Sequence, residues 1–405
     1  MLARFVARTY IAQALEKDTL LIMNSYDVIV IGGGIAGVAA AYELGKTRSV
    51  AILEMESTLA FHTTGRSAAT FLETYGGPEI RALTTGSRAF LENPSETFDR
   101  SPLSPLGLVW VATEGDEAKV DRMYAEMRGL VPSVQIVSPE QATEINPILN
   151  VDYVSAALYE PEAREIDVHA LHQGYARGFK GIGVVHAAAR VVAAHRENGM
   201  WTLADSGGQR YRAPLVVNAA GAWVDVVAAI HGARGIGIRP LRRTIFMVPS
   251  PGGSRTAGLP MAADVNDEFY VKPDGEQYLC SPADEVLQQP SDPRPDELEI
   301  ARAIDVINDA TGLDVRHVRS TWAGLRNFAP DRVPVIGYDR EVEGFFWFAG
   351  QGGYGIQTAP AAASLVASLI DGEGVPADLE ARGLRSDSVS PERFSVQVSS
   401  AGTRR

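Results

Sequence analysis

The chain has one cysteine, Cys280, in 405 residues. That excludes an internal disulfide framework and fits a reducing compartment, so a cytoplasmic location is expected. No apolar run is long enough to span a bilayer, and no transmembrane segment is expected. Basic charge is not in excess: 37 Lys and Arg stand against 50 Asp and Glu, a net charge of -13. That argues against nucleic acid or an anionic membrane as the main partner. The chain also lacks a G-x-S-x-G turn, a catalytic-cysteine context, an internal repeat and a heptad pattern. His169 and His172 share a helical face near Glu162, Glu165 and Asp167. An ordinary amphipathic helix explains that spacing, and no metal is expected.

The stretch from Tyr26 to Glu54, YDVIVIGGGIAGVAAAYELGKTRSVAILE, carries the clearest signal. Val28 to Ile31 is a short β-branched apolar run, as for a strand covered on both faces. Gly32, Gly34 and Gly37 give the G-x-G-x-x-G spacing. The first permits a tight turn, the second lets backbone approach a pyrophosphate, and the third lets helix pack on strand. A helix from Ile35 to about Lys46 would aim its positive end at phosphates. Val50 to Leu53 is the next strand. Glu54 follows where a carboxylate accepts from ribose hydroxyls and repels a 2′-phosphate, which disfavours NADP. This fingerprint alone leaves FAD and NAD both open.

Similar signals return twice. Leu215 to Trp223, LVVNAAGAW, is an apolar strand ending in a small-residue turn. Gly344 to Thr358, GFFWFAGQGGYGIQT, runs from an apolar strand through Gly350, Gly352, Gly353 and Gly355 into a helix. A reduced flavin gathers negative charge at its N1/C2=O edge, which a helix N-terminus stabilises, so this second turn favours FAD. With 45% hydrophobic residues the chain supports two domains. The expected fold is α/β: a Rossmann-like FAD-binding domain interleaved with a substrate domain carrying a mixed or antiparallel sheet. The nucleotide parts are expected at 24–80, 151–238 and 322–385, and the substrate parts at 81–150 and 239–321. Residues 1–23, which lack a continuous apolar core and a small-residue cleavage site, are expected to be an extension before Met23 and the first strand. Residues 386–405, polar and Ser-rich, are expected to be a loose tail.

The motifs HTTGRSAA (His62 to Ala69), ALHQGYARG (Ala170 to Gly178), VNAAGAW (Val217 to Trp223), TWAGLR (Thr321 to Arg326) and the C-terminal glycine turn span almost the whole chain. Together they resemble the D-amino-acid-oxidase superfamily of FAD oxidoreductases, and within it the bacterial FAD-dependent D-arginine dehydrogenase group most. The resemblance implies that Ala36, Glu54 and Met55 contact the adenosine diphosphate half of FAD. It implies that Thr63, Thr64, Gly65, Arg66, Ser67, Ala68, Ala69 and Thr70 run along the ribityl chain and ring. Val191 would hold adenine through its backbone, and Gly352, Gly353, Tyr354, Gly355, Ile356 and Gln357 would cap the flavin pyrimidine edge. Ser67, Ala68 and Ala69 are small enough for such an approach. Arg66 suits either a phosphate or a structural ion pair. His62 is expected beside the ribose, and Cys280 lies far from the glycine turn, so FAD is expected to be non-covalent.

On the substrate side the resemblance implies that Arg326 and Arg243 bind a carboxylate, with Tyr270 assisting and Tyr75 as a lid over the pocket. Guanidinium suits this because its planar fork binds carboxylate bidentately. Arg242 is expected to be a structural ion pair. Two positions depart from the arginine-type relatives: Leu108 stands where they carry a glutamate, and Thr70 where they carry a histidine. A neutral or apolar amino-acid side chain is therefore expected. The implied reaction is oxidative deamination of a D-amino acid to the 2-oxo acid, with hydride passing from Cα to flavin N5. Oxygen and a quinone are both open as electron acceptor. Other readings are a secondary-amine oxidase (sarcosine-, proline- or opine-like), a 2-hydroxy-acid dehydrogenase, and a flavin-binding subunit without turnover.

Overall fold

The computed structural model describes residues 24–398. The expected extension at 1–23 and the last residues of the expected tail lie outside them. A six-stranded sheet forms the nucleotide side, in the order Val184–His186, Val50–Leu53, Val28–Ile31, Leu215–Asn218, Phe345–Ala349, Val335–Tyr338. All neighbours are parallel except the last pair. The strands Val28–Ile31, Val50–Leu53, Leu215–Asn218 and Phe345–Ala349 are buried along their whole length, as a parallel sheet covered on both faces requires. Three of these strands run into the three glycine or small-residue corners read from sequence, so the corners meet at one edge of the sheet.

Two glycines make the first corner possible. Gly32 has φ +108, and a Cβ there would lie 2.5 Å from Ala219 O. A Cβ at Gly37 would sit 1.8 Å from Gly32 O. The helix Ile35–Gly45 therefore crosses its own turn at a separation only glycine permits. His172, on the helix Val168–Lys180, donates from Nε2 to Gly33 O at 3.0 Å. Burial holds this imidazole below its ordinary pKa. It braces the turn, and among the described residues no group of His, Cys, Asp or Glu is arranged to hold a metal.

The second sheet is large and mixed. Its path runs Gln351–Gly352, Ser320–Phe328, Arg239–Pro249, Gln277–Ser281, Tyr270–Asp274, Met261–Asp264, Leu108–Ala112, Ala156–Glu160, Gln135–Val137. The period-two alternation of its strands divides its side chains cleanly. One face carries Val109, Val111, Ala157, Phe246, Val248, Ala262, Val271 and Cys280, packed against Ile300, Ala303 and Ile307 of the helix Glu297–Ala310. The opposite face carries Leu108, Trp110, Arg243, Ile245, Met261, Ala263, Tyr270 and Arg326, which look into a cavity.

Three expectations need correction. Ala156–Glu160, given to the nucleotide part, pairs with Leu108–Ala112 and belongs to the large sheet. Ser320–Phe328 pairs along its length with Arg239–Pro249 in that same sheet, so the boundary at 322 cuts through a strand. The chain from Ser386 is no loose tail through Phe394: Val389 is fully buried, Pro391 packs on Gly337, and Arg393 pairs with Asp331 at 2.7 Å. A few apolar anchors hold a stretch whose composition is otherwise polar.

Gly37→Ala is expected to lower the unfolding free energy by about 1–3 kcal/mol, the cost of overpacking a tight crossing. Denaturant unfolding measures it, and a wild-type midpoint would contradict the crossing as described.

Candidate active site

A cavity of about 510 Å³ lies between the glycine corners and the inner face of the large sheet. Gly32, Gly34, Ala36, Glu54, Met55 and Val191 line its nucleotide end. Glu54 is buried, and its carboxylate is already oriented by the chain: Oε2 accepts from Gly33 N–H at 2.6 Å and Oε1 from Glu56 N–H at 2.8 Å. Each oxygen keeps a further lone pair for a hydroxyl donor. His62, near the rim, pairs with Glu56 at 2.9 Å and packs its ring on Trp223.

The segment that follows is stitched to the large sheet. Thr63 donates to Leu325 O at 2.8 Å, Arg66 to Ala323 O at 3.0 Å, and Trp322 Nε1 to Arg66 O at 3.2 Å. Thr64 accepts from Ile35 N–H at 3.0 Å, joining this segment to the nucleotide helix. Arg66 also pairs with Asp292. Thr63, Thr64, Arg66, Ser67, Ala68, Ala69 and Thr70 line the cavity, and Lys272 Nζ holds Ala68 O at 2.9 Å from behind.

Gly352, Gly353, Gly355, Ile356 and Gln357 line the cavity where the helix Gly355–Asp371 begins. Gln357 spends its side chain internally, accepting from Leu72 N–H at 3.0 Å and donating to Thr84 at 3.0 Å. Three expected residues do not line the cavity. Gly37 serves the helix crossing, Gly65 makes a tight turn on Ala60, and Tyr354 is buried against Ile80, Leu241 and Phe328. The cradle fits FAD: a turn too tight for any Cβ, a fixed acceptor for ribose, a small-residue segment, and a helix N-terminus at the far side.

Arg243 and Arg326 lie on adjacent antiparallel strands. Arg243 faces Gly324, two residues before Arg326, so both guanidinium groups rise from the same sheet face. Tyr270 and Tyr75 line the cavity with them. Gly353 is shaped to this pair, since a Cβ there would lie 2.9 Å from Arg326 Cζ. Arg243 Nε and Tyr270 Oη are buried without a hydrogen-bond partner. Arg243 meets only Glu285, at 3.4 Å, and Glu285 is shared with Arg332 through two contacts of 2.9 Å. Among the described residues no carboxylate lies within ion-pair distance of Arg326. Burial, and then the charge on Arg326, hold the Arg243 guanidinium below its ordinary pKa. Two close cations, with an orphaned donor on Arg243 and on Tyr270, have the chemistry that suits a carboxylate. Arg242, by contrast, points to Asp284 at 2.9 Å and Asp296 at 3.0 Å, as expected of a structural pair.

Leu108 is fully buried and lines the cavity. Trp110, Ile245, Met261 and Ala263 continue the apolar wall. Sequence reasoning missed these four, although their parity with Leu108, Arg243 and Tyr270 along alternating strands marks the same face. It also missed Glu160, the cross-strand neighbour of Leu108. Glu160 is 1% exposed, and burial pushes its carboxyl up to about 7.

The family described as DAO, FAD dependent oxidoreductase, matches residues 27–369. The glycine oxidase of Geobacillus kaustophilus is 26% identical over 88% of this chain and 96% of its own length. FAD-dependent oxidoreductase domain-containing protein 1 of Bos taurus is 26% identical over 85% of this chain and 81% of its own. The crystal structure of L-proline dehydrogenase from P. horikoshii superposes with a TM-score of 0.79 at 23% identity, covering 92% of this chain and 99% of that one. That likeness is one of fold.

Gly353→Ala is expected to push Arg326 out of register while leaving FAD bound. A displacement near 1 Å corresponds to roughly 100-fold in kcat/KM, read by steady-state kinetics alongside flavin content.

Proposed function

The chain belongs to the DAO family of FAD-dependent oxidoreductases, and on that premise we propose that it oxidises the α-amine of a D-amino acid whose side chain is neutral or apolar. The observation that carries this reading is the pair Arg243 and Arg326, on one sheet face without an adequate counter-ion, with Arg243 Nε and Tyr270 Oη left unpartnered beside it. A substrate carboxylate completes it. The wall of Leu108, Trp110, Ile245, Met261 and Ala263 supports an apolar side chain, because a distal cation would meet no acceptor along it. The D configuration rests on the motifs shared with the D-arginine dehydrogenase group.

The nucleotide would be held by the Gly32–Gly34 turn, Glu54, the segment from Thr63 to Thr70 and the amino end of the helix Gly355–Asp371. FAD, when bound, supplies the two-electron acceptor. The chain's own residues do the rest by placement. Arg326 and Arg243 fork the carboxylate, and the Tyr270 hydroxyl donates to it, which fixes Cα relative to the cavity floor. The apolar wall keeps water from the Cα substituent. The strands of the large sheet contribute no carboxylate or imidazole to the lining, and the turn between two of them brings Asp267; in the proposed reaction the ammonium proton leaves to water. The imino acid then hydrolyses to the 2-oxo acid and ammonia.

A second reading is oxidation of a secondary amine. It is favoured by the likeness to a proline dehydrogenase, and it uses the same carboxylate clamp.

Anaerobic mixing with a panel of amino acids distinguishes the two. Neutral D-amino acids are expected to bleach the flavin fastest, with D-arginine and D-lysine slow. Faster bleaching by sarcosine or proline would favour the second reading, and a strong D-arginine preference would overturn both the wall and the reading built on it.

Arg326→Ala is expected to lower kcat/KM by about 100-fold or more, as for removal of one partner of a buried charge pair, with FAD retained. Near-normal kinetics would defeat the clamp.

A further inference from the structure

Among the buried titratable groups of the large sheet that the reaction above does not use, Glu160 is the cross-strand neighbour of a cavity-lining residue. Glu160 lies at the end of the strand Ala156–Glu160, directly opposite Leu108, and directly opposed residues of an antiparallel pair project to the same face. Its carboxyl therefore sits beside the apolar wall of the cavity, one side chain removed from it. No cation pairs with it among the described residues. Arg88, which pairs with the neighbouring Glu73, is committed to Glu73 and Glu92 and reaches Glu162 at 3.7 Å. Glu160 instead receives the Thr74 hydroxyl, 3.0 and 2.9 Å from its two oxygens. Trp110, which lines the cavity, turns its indole N–H towards the same carboxyl without reaching hydrogen-bonding geometry.

Thr74 is itself 1% exposed and belongs to the segment that hangs over the substrate end of the cavity. Leu72 and Tyr75 of this segment line the cavity. Its other ties are Leu72 N–H to Gln357, Glu73 to Arg88, Arg81 Nε to Thr74 O at 3.0 Å, and the Tyr75 ring against Tyr354 at 5.0 Å between centroids. The Thr74 hydroxyl thus ties the segment to the large sheet at Glu160, as the Tyr75 hydroxyl does at Arg326.

We propose that Glu160 is a positioning residue for the carboxylate clamp: through Thr74 it fixes the segment that sets Leu72 and Tyr75 over Arg243 and Arg326. The inference rests on the proposed clamp and adds a residue that never touches substrate. The tie also depends on pH. The groups around Glu160 are Glu73 and Glu162, both negative, the Thr74 hydroxyl, the Trp110 indole, and Arg88 and Arg81, which are engaged elsewhere. A neutral carboxyl suits this surrounding, and an ionised one adds a third negative charge with no cation of its own. Above neutral pH the segment moves to hydrate the charge and the clamp loosens.

Stability carries the same signature. The folded pKa of about 7 lies above the ordinary carboxylate value of 4.5. The group therefore costs nothing at acid pH, where both states are protonated. It destabilises the fold increasingly as pH rises from the unfolded value through the folded one.

The test uses the FAD-loaded full chain and propionate, a carboxylate with no amine to oxidise, titrated between pH 6 and 8.5 and read by calorimetry and flavin absorbance. For the wild type, Kd is expected to rise severalfold over this range. Glu160→Gln keeps an acceptor for Thr74 but does not ionise, so its Kd is expected to stay flat at the wild-type acid value, and its melting temperature to exceed the wild type most at high pH. Thr74→Val, nearly isosteric, is expected to hold Kd about tenfold above the wild-type acid value at every pH, the scale of one buried hydrogen bond, with kcat on any turned-over substrate within about twofold. Thr74→Ser restores the wild-type value. A Glu160→Gln profile superimposable on the wild type, or a Thr74→Val protein with wild-type Kd, would overturn the inference and leave the clamp standing. No propionate binding by the wild type would remove the clamp itself, and the inference with it.

Discussion

Two positive charges held on one face of a sheet, sharing no carboxylate of their own, govern this molecule. Moving an unpaired cation out of water costs several kcal/mol, and here two share a cavity. Arg332 draws Glu285 away with two contacts of 2.9 Å, so Arg243 keeps only the weak end of that carboxylate at 3.4 Å. The backbone around the pair is cut to fit: Gly353 leaves room for the Arg326 guanidinium, and Gly324 faces Arg243 across the strands. Such an arrangement is maintained against its own repulsion only by a rigid sheet, and its natural complement is an anion. Arg242, one residue earlier on the opposite face, shows the alternative. There two aspartates neutralise the charge and no site results.

The sheet that carries the pair would be inert without the second layer. The small-residue segment from Thr63 to Ala69 is hydrogen-bonded on one side to Ser320–Phe328 and on the other to the first turn of the nucleotide helix. It is the physical join between the coenzyme cradle and the clamp. Lys272 braces it from behind at Ala68 O, and Gln357 holds the chain just beyond it at Leu72 N–H. Distance between the reacting partners is therefore set by hydrogen bonds to main chain, which side-chain substitution on the surface barely disturbs.

Much of this was legible in the residues alone. The strand, glycine turn, helix, strand and terminal acid from Val28 to Glu54 all stand where the spacing predicts, because each glycine there answers a steric demand that no other residue meets. Leu215–Asn218 and Phe345–Ala349 were equally readable as apolar runs ending in small residues. What stayed hidden was pairing. Ala156–Glu160 looks like a continuation of neighbouring sequence, and only its partner strand assigns it to the large sheet. The wall residues Trp110, Ile245, Met261 and Ala263 follow from alternation once one member of each strand is known to face the cavity. Glu160 had no local signal, since its burial comes from a contact 86 residues away, at Thr74. The segment from Ser386 was misjudged for a similar reason: composition averages over a stretch, while a single buried side chain, Val389, is enough to hold it.

Charge is divided between surface and interior. The chain as a whole is acidic, at -13, yet four arginines line the cavity (Arg66, Arg190, Arg243 and Arg326) against two carboxylates, Glu54 and Asp267. Exposed charges are screened beyond about 8 Å at physiological salt, and enclosed ones much less. An anion is thus repelled weakly over most of the surface and attracted strongly only inside. The proposed reaction needs two anions in this cavity, a pyrophosphate and a carboxylate. With the dinucleotide in the nucleotide end, Arg243 and Arg326 would be the charged destination left for the carboxylate. In the proposed reaction Leu108 would act at the side chain as the arginines act at the carboxylate: it offers an apolar surface where a carboxylate would invite a cation, and would select by what it fails to satisfy.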